Sequence, residues 1–174
     1  MALLLLVALT ACHKEEQAVE GVALKAEAAE HQAQAKSAER DQQRAQLARI
    51  PLPTKSLYLG IREPGAWANP FLSVEADTLN LRVNFADANP SPVGQGSMLR
   101  PDGARRQEIE LRPAELADAI VALPPGAWRY GRVIAVAEAP GASPKDRPKI
   151  RRNVEAAMQQ LNDLGVLVEE WPTR

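Results

Sequence analysis

The side chains able to do chemistry are few and unevenly placed. One cysteine, Cys12, and two histidines, His13 and His31, occur in the chain, all within its first third. The remainder has neither, so Ser-His-Asp, Cys-His and zinc arrangements cannot be assembled there. No Gly-rich phosphate loop opens a helix and no Asp-alternating calcium loop occurs, so no cofactor or metal is expected. Carboxylate pairs remain. Glu138 and Asp146, at the C-terminal end of an expected strand where α/β sheets bind ligands, form the pair best placed for acid–base work on a glycan. The simpler reading gives Asp146 a helix-capping role and Glu138 an ordinary strand-end charge. A second set is aromatic and cationic. The letters PGAW recur at Pro64–Trp67 and Pro125–Trp128. Trp67, Trp128, Tyr130, Arg132 and Trp171 make a candidate interaction patch, because glycan rings and proline-rich peptides dock on exposed indoles. The first copy follows an expected strand and the second an expected helix, so they are not an internal repeat. Their plainer reading is two Pro-Gly turns whose indoles cover a sheet margin.

The environment of Cys12 is the most specific feature. From Ala2 to Ala11 the run ALLLLVALTA is continuously apolar, about half the length that a bilayer-spanning helix needs. It ends in Leu9, Thr10, Ala11 and Cys12, an aliphatic residue, two small ones and a cysteine. This resembles the lipobox of bacterial lipoproteins. The resemblance implies that residues 1–11 are a signal peptide cut before Cys12, which then carries a thioether-linked diacylglycerol and an amide-linked acyl chain of the palmitate type. Each buried acyl methylene contributes about 0.8 kcal/mol, so several chains hold firmly. His13 stands where an aspartate favours inner-membrane retention in such families. The expected location is therefore the outer membrane, facing the periplasm. Only Met1 precedes the apolar run, so a basic opening lies upstream of this sequence or the leader is atypical.

Residues 12–50 read as the lipidated cysteine followed by a polar helical spacer. Lys14 to Arg49 contain no proline and ten alanines, and the rest is rich in Glu, Gln, Lys and Arg, strong helix formers. As one helix the spacer reaches about 50 to 55 Å. A heptad seam from Val19 to Ile50 is polar in its middle, so a solvated spacer is the first reading and a coiled-coil oligomer the second. Gly21 is a candidate break, and His31, with no second ligand nearby, reads as surface.

The motif IPLP at Ile50–Pro53 ends the helix, and residues 51–174 read as one α+β domain. SLYLGIR is expected as a strand burying Leu57, Leu59 and Ile61. TLNLRVNF is expected to bury Leu79, Leu81, Val83 and Phe85, and LSVEADTLNL to turn as a hairpin at Ala76–Thr78. DANPSPVGQG reads as a loop, and LRPDGARR as a turn joining a short strand to QEIEL. PAELADAIVAL then reads as a short amphipathic helix and WRYGRVIAVAE as a strand covered on both faces. A second helix over Asp146–Leu164 carries the stripe Ile150, Val154, Ala157, Met158, Leu161 and Leu164. Asp146 or Ser143 caps its start, Gly165 its end, and VLVEEW closes the domain as a strand. The expected architecture is a long helical arm followed by a mixed sheet of about five to seven strands, with two helices packed on it and a βαβ unit at the end. From Ser56 to Trp171 this order of elements is similar to the periplasmic domain of biopolymer-transport proteins of the ExbD and TolR group. The resemblance implies binding of peptidoglycan or a partner. It does not carry over proton-channel function, because the family's uncleaved membrane helix with its functional acidic residue has no counterpart here.

A net charge of -1 and a pI near 6.2 exclude a global field that draws nucleic acid. The resulting expectation is a non-enzymatic, membrane-tethered envelope lipoprotein that binds or scaffolds an envelope protein or peptidoglycan. A glycan hydrolase using acidic residues and a coiled-coil spacer protein are the alternatives.

Overall fold

The computed structural model describes residues 4–61, 63–85 and 106–172, with side chains from Lys25 onward. The chain divides into two compact units, Met1–Gln42 and Gln43–Arg174. The first is formed by α1 (Leu4–Leu47), a continuous helix in which Gly21 makes no break. Every side chain from Lys25 to Gln42 is exposed, so this stretch has no buried stripe and owes its helicity to the propensity of Ala, Glu, Gln, Lys and Arg. Among the described residues no helix is long and apolar enough to cross a membrane.

The second unit is α+β. Its five strands are β1 (Phe71–Val74), β2 (Leu79–Asn84), β3 (Arg106–Leu111), β4 (Val133–Glu138) and β5 (Leu167–Glu170), and its helices are α2 (Leu116–Val121) and α3 (Arg147–Asp163). The sheet order is β3-β2-β1-β4-β5. Pairing is antiparallel from β3 to β1 and parallel from β1 through β4 to β5. The sheet is therefore mixed, with five strands among the described residues. The unit begins before the proline run, because Leu47 in the last turn of α1 is buried in the core and Gln43 donates to the Asp118 carboxylate of α2 at 2.9 Å.

Alternation explains β2, whose Leu79, Leu81 and Val83 are buried while Asn80, Arg82 and Asn84 are half-buried on the other face. It also explains β4 by its failure to alternate. The first five residues of β4 are buried, as a central strand covered on both sides requires. The β1–β2 turn closes with Glu75 N–H donating to Thr78 O at 2.9 Å. α3 holds that turn from outside: Asn153 Nδ2 donates to the carbonyls of Glu75 and Ala76 at 3.0 and 2.9 Å, and Lys149 pairs with Asp77 at 2.6 Å. One face of the sheet is covered by Leu116 and Ile120 of α2 and Ile150, Val154 and Leu161 of α3, packed with Leu47 on Leu72, Leu81, Ile134 and Val136. α3 joins the parallel strands β4 and β5 and packs on both. Gly165, at φ +77°, ends it in the left-handed conformation that glycine adopts without cost.

Three expectations change. SLYLGIR is not a strand: Lys55–Leu57 form a 3-10 turn followed by a bend. Its burial is the reverse of the expected alternation, with Tyr58 4% exposed and Leu57 and Leu59 56% and 54% exposed. Pro51 and Pro53 lack donors, and the segment is instead strapped by Arg132 N–H to Pro51 O at 2.9 Å and Thr54 N–H to Tyr130 O at 3.2 Å. At the start of α3, Asp146 already has helical angles and its carboxylate caps nothing. Ser143 takes that place, its Oγ accepting from Lys145 N–H at 3.3 Å. The N-terminal part of PAELADAIVAL is a 3-10 turn over Pro113–Glu115 that leads into α2. The loop DANPSPVGQG and the turn LRPDGARR fall almost wholly outside the described residues.

Candidate binding site

Among the described residues, helices cover only one face of the sheet. The other face carries the odd-numbered residues of β1, β4 and β5 and the even-numbered residues of β2 and β3. Register places Glu108, Arg82, Phe71, Ala135 and Glu169 in one row across all five strands. Toward the N-terminal ends of the parallel strands this face is closed by a strap formed by residues 51–61 and 63–70. Tyr58 and Trp67 descend from the strap and pack with Tyr130, Val133 and Phe71 into a second core. Toward the C-terminal ends it stays open as a cleft of about 620 Å³, walled by Leu59, Ile61, Phe71, Ala137, Trp171 and Pro172 among others.

An aromatic wall bounds the closed half. Trp67 meets Tyr58, Tyr130 and Trp171 edge-on at centroid distances of 5.6, 5.3 and 5.5 Å, and Trp171 meets Phe71 at 5.8 Å, the arrangement that opposed ring quadrupoles favour. Trp67 Nε1 donates to Pro70 O at 3.0 Å, which satisfies its only polar group. Beneath it lies Asn69, 1% exposed. Its Nδ2 donates to Gly131 O and Val133 O, and its Oδ1 accepts from Tyr130 N–H, each at 2.8 Å.

Charge is concentrated in the open half. Glu75, Glu108 and Glu169 belong to this face, Glu138 and Glu170 reach only the rim of the cleft because the register turns them toward the helix-covered face, and among the described residues Arg82 is the single cation on its walls. Arg82 lies over the Phe71 ring at 4.5 Å and donates to Pro64 O at 2.5 Å. Burial, helped by neighbouring Arg106 and opposed by Glu108, lowers the pKa of Arg82. Glu170 forms an ion pair with Arg151 of α3. The Tyr58 hydroxyl donates to Glu169. Burial first, then the charge of Glu169 and that hydrogen bond, raise the phenol pKa. In a spectrophotometric titration, the difference between the wild type and Tyr58→Phe should therefore show a phenol ionising above its ordinary value of about 10, with Glu169→Gln bringing it down. The neutral phenol is the favoured form in the folded state. Its stabilisation is complete below the unfolded pKa and is lost as pH rises through the folded one. Ionisation at the ordinary value would mean that Tyr58 is neither buried nor in contact with Glu169.

The aromatic and cationic set anticipated from sequence is divided. Trp67, Tyr130 and Trp171 belong to the strap-side core, whereas Trp128 is buried in the helix-side core. Trp67 and Trp128 are 1% and 5% exposed, so they pack the sheet margins and present no docking face. Trp171 alone of the three indoles is half-exposed and borders the cleft. Arg132 is half-buried and near Gly165, which a Cβ built there would bring to 4.0 Å from its guanidinium carbon. Both PGAW copies form 3-10 turns over Pro64–Ala66 and Pro125–Ala127, as turn chemistry predicts. Glu138 lies at the cleft, but Asp146 is exposed at the start of α3 and is not on its walls, so that carboxylate pair does not share a site.

Sequence reasoning missed Tyr58, Arg82, Glu108 and Glu169. The polar alternates of β2 and β3 were a usable signal, since Asn80, Arg82 and Glu108 on one face say that helices do not cover it. Comparison of the chain with protein-family models, with curated proteins and with solved structures gave no significant match.

Proposed function

We propose that this chain is a lipid-anchored protein of the bacterial cell envelope, held through acylated Cys12 at the outer membrane and facing the periplasm. Its α+β body is a non-enzymatic binding module. The observation that carries the binding half is the uncovered sheet face: a five-stranded sheet with helices on one side and, on the other, a cleft of about 620 Å³ with an aromatic border. That volume lies within the range of sites that take ligands. The strap closes only half of a face whose remaining half is bordered by the half-exposed Trp171. The likeness in element order to the periplasmic domains of the ExbD and TolR group supports a partner or peptidoglycan as the class of ligand. The anchoring half rests on the lipobox at Leu9–Cys12, and the solvated helix beyond it supplies reach from the membrane.

Metabolic labelling with an alkyne palmitate analogue tests the anchor. The wild type is expected to be labelled and to sediment with membranes, whereas Cys12→Ser is expected to lose essentially all label and to retain the leader. A wild-type chain with a free thiol and an intact leader overturns the anchor. The binding module is tested by cross-linking in intact envelopes: a chain that recovers no protein or glycan beyond a lipid-only control is not a binding module.

A further inference from the structure

Four large apolar side chains stand exposed among the described residues: Leu52, Leu57, Leu59 and Leu167. Leu59 borders the cleft. The other three gather at the opposite end of the sheet, where the parallel strands begin. The backbone of Arg132 places two of them. Its N–H donates to Pro51 O at 2.9 Å and its carbonyl accepts from Leu167 N–H at 3.1 Å, so Leu52 and the first residue of β5 flank the approach to β4. Leu57 closes the 3-10 turn Lys55–Leu57, and the residue before that turn, Thr54, donates to Tyr130 O at 3.2 Å.

Unpaired cations share this end. Arg129 and Arg132 precede β4, and Arg49 and Lys55 bracket the prolines of the strap. Arg44 lies near Arg132, since a Cβ built on Gly165 would stand 3.8 Å from Arg44 Nε and 4.0 Å from Arg132 Cζ. None of the five forms an ion pair among the described residues. The stretch from Arg49 to Ile61 holds no acidic residue. Glu63 of the strap, with Asp118 and Asp163 on the helices, does not cancel five cations.

Exposed leucine interleaved with unpaired cation suits one kind of surface. The core of a protein interface is depleted in lysine, whereas here Arg49, Leu52, Lys55 and Leu57 alternate along the chain. At a bilayer surface the same mixture is favourable, because apolar side chains enter the boundary between headgroups and acyl chains while cations stay at the phosphates. We infer that this end of the body docks on a bilayer carrying anionic phospholipid: Leu52, Leu57 and Leu167 enter its interface, and the cations around them engage its phosphates. The contact is separate from the cleft and does not depend on acylation of Cys12.

A dye placed on the strap tests this. The full-length chain with Cys12→Ser and Leu57→Cys carries one thiol, which takes the environment-sensitive label nitrobenzoxadiazole. Cys12→Ser with Ala156→Cys puts the same label on the exposed side of α3. Vesicles are phosphatidylcholine alone, or phosphatidylcholine mixed with phosphatidylglycerol. On the mixed vesicles the strap dye is expected to brighten by about twofold or more and to be quenched by brominated acyl chains, and rising salt is expected to reverse the gain. The α3 dye is expected to stay unchanged; the apolar leader, common to both chains, cannot produce that difference. Arg49→Gln with Lys55→Gln is expected to cut the gain by about threefold or more, with the urea midpoint retained because both side chains are exposed. A strap dye that responds equally to both vesicles, or to neither, overturns the proposal, as does an equal response on α3. A gain without vesicles that grows with protein concentration assigns the patch to a second copy. A gain from lipid-free envelope protein, with none from vesicles, assigns it to a protein partner; either result overturns the membrane contact. All of these outcomes leave the labelling test of the acyl anchor and the cross-linking test of the binding module untouched.

Discussion

Replacing Gly131 by alanine is expected to destabilise the body by about 3 to 5 kcal/mol, the largest effect of a glycine-to-alanine change at the described glycines of the body. Two causes add. Gly131 has φ +88°, a conformation that costs an L-residue about 1 to 2 kcal/mol. A Cβ there would also stand 2.7 Å from Pro53 Cα and 2.8 Å from each of the Leu52 and Pro51 carbonyl oxygens. These are backbone atoms, so no rotamer change relieves the overlap. The strap must move instead, and its attachments are the hydrogen bonds from Arg132 N–H to Pro51 O and from Thr54 N–H to Tyr130 O. Breaking them frees the segment that seats Tyr58 against Glu169 and closes half of the sheet face. Urea unfolding checks the result, with a midpoint drop of about 2 M for a slope near 2 kcal/mol/M. Gly60→Ala and Gly65→Ala are the controls: nothing lies within 4 Å of a Cβ at either position, and a change within about 0.5 kcal/mol is expected. A Gly131→Ala protein as stable as the wild type would mean that the strap does not pass over Gly131.

Asn69→Ala is expected to cost about 3 to 5 kcal/mol as well, by a different route. The side chain of Asn69 serves three backbone groups at once: the carbonyls of Gly131 and Val133 and the N–H of Tyr130, of which the Gly131 carbonyl also accepts from Val133 N–H at 2.8 Å. All three lie in the buried approach to β4, where water cannot replace a lost amide without entering the core. Removing it leaves two buried polar groups, the Tyr130 N–H and the Val133 carbonyl, to find new partners, each at about 1 to 3 kcal/mol if it fails. Asn84→Ala provides the comparison. Its amide also bridges to the strap side, to Trp67 O at 3.1 Å and Ala68 O at 3.4 Å, but Asn84 is only half-buried and solvent can substitute. About 1 kcal/mol is expected there. Equal losses for the two asparagines would show that burial of the Asn69 network is not what holds the strap-side core. Both Gly131 and Asn69 act on one joint, the meeting of the strap with the start of β4, so the double variant should be less than additive.

Much of the body could be read from local pattern. β2 alternates, β4 does not, and the stripe of α3 repeats with the helical period, because each answers to a core that touches it along its whole length. The Pro-Gly turns and the Gly165 helix end were legible for the same reason, being properties of a few consecutive residues. The strap misled because its leucines at 57 and 59 mimic a strand. The chain there is held by two bonds to residues more than seventy positions away and by the phenol of Tyr58, none of which leaves a local period.

The cleft lay further from view. Nothing in the spacing of Glu108 and Glu169 announces that they share a row, and Trp67 and Trp128, alike in local sequence, end on opposite faces of the sheet. Sequence by itself determined the single cysteine, the polar helix, the α+β class and the periodic elements, since propensity, alternation and turn chemistry act between near neighbours. Tertiary structure alone decided which indoles are buried, which half of a sheet face stays open and which charges gather there. Those outcomes depend on strand order and register, which are set by packing between segments far apart in the chain.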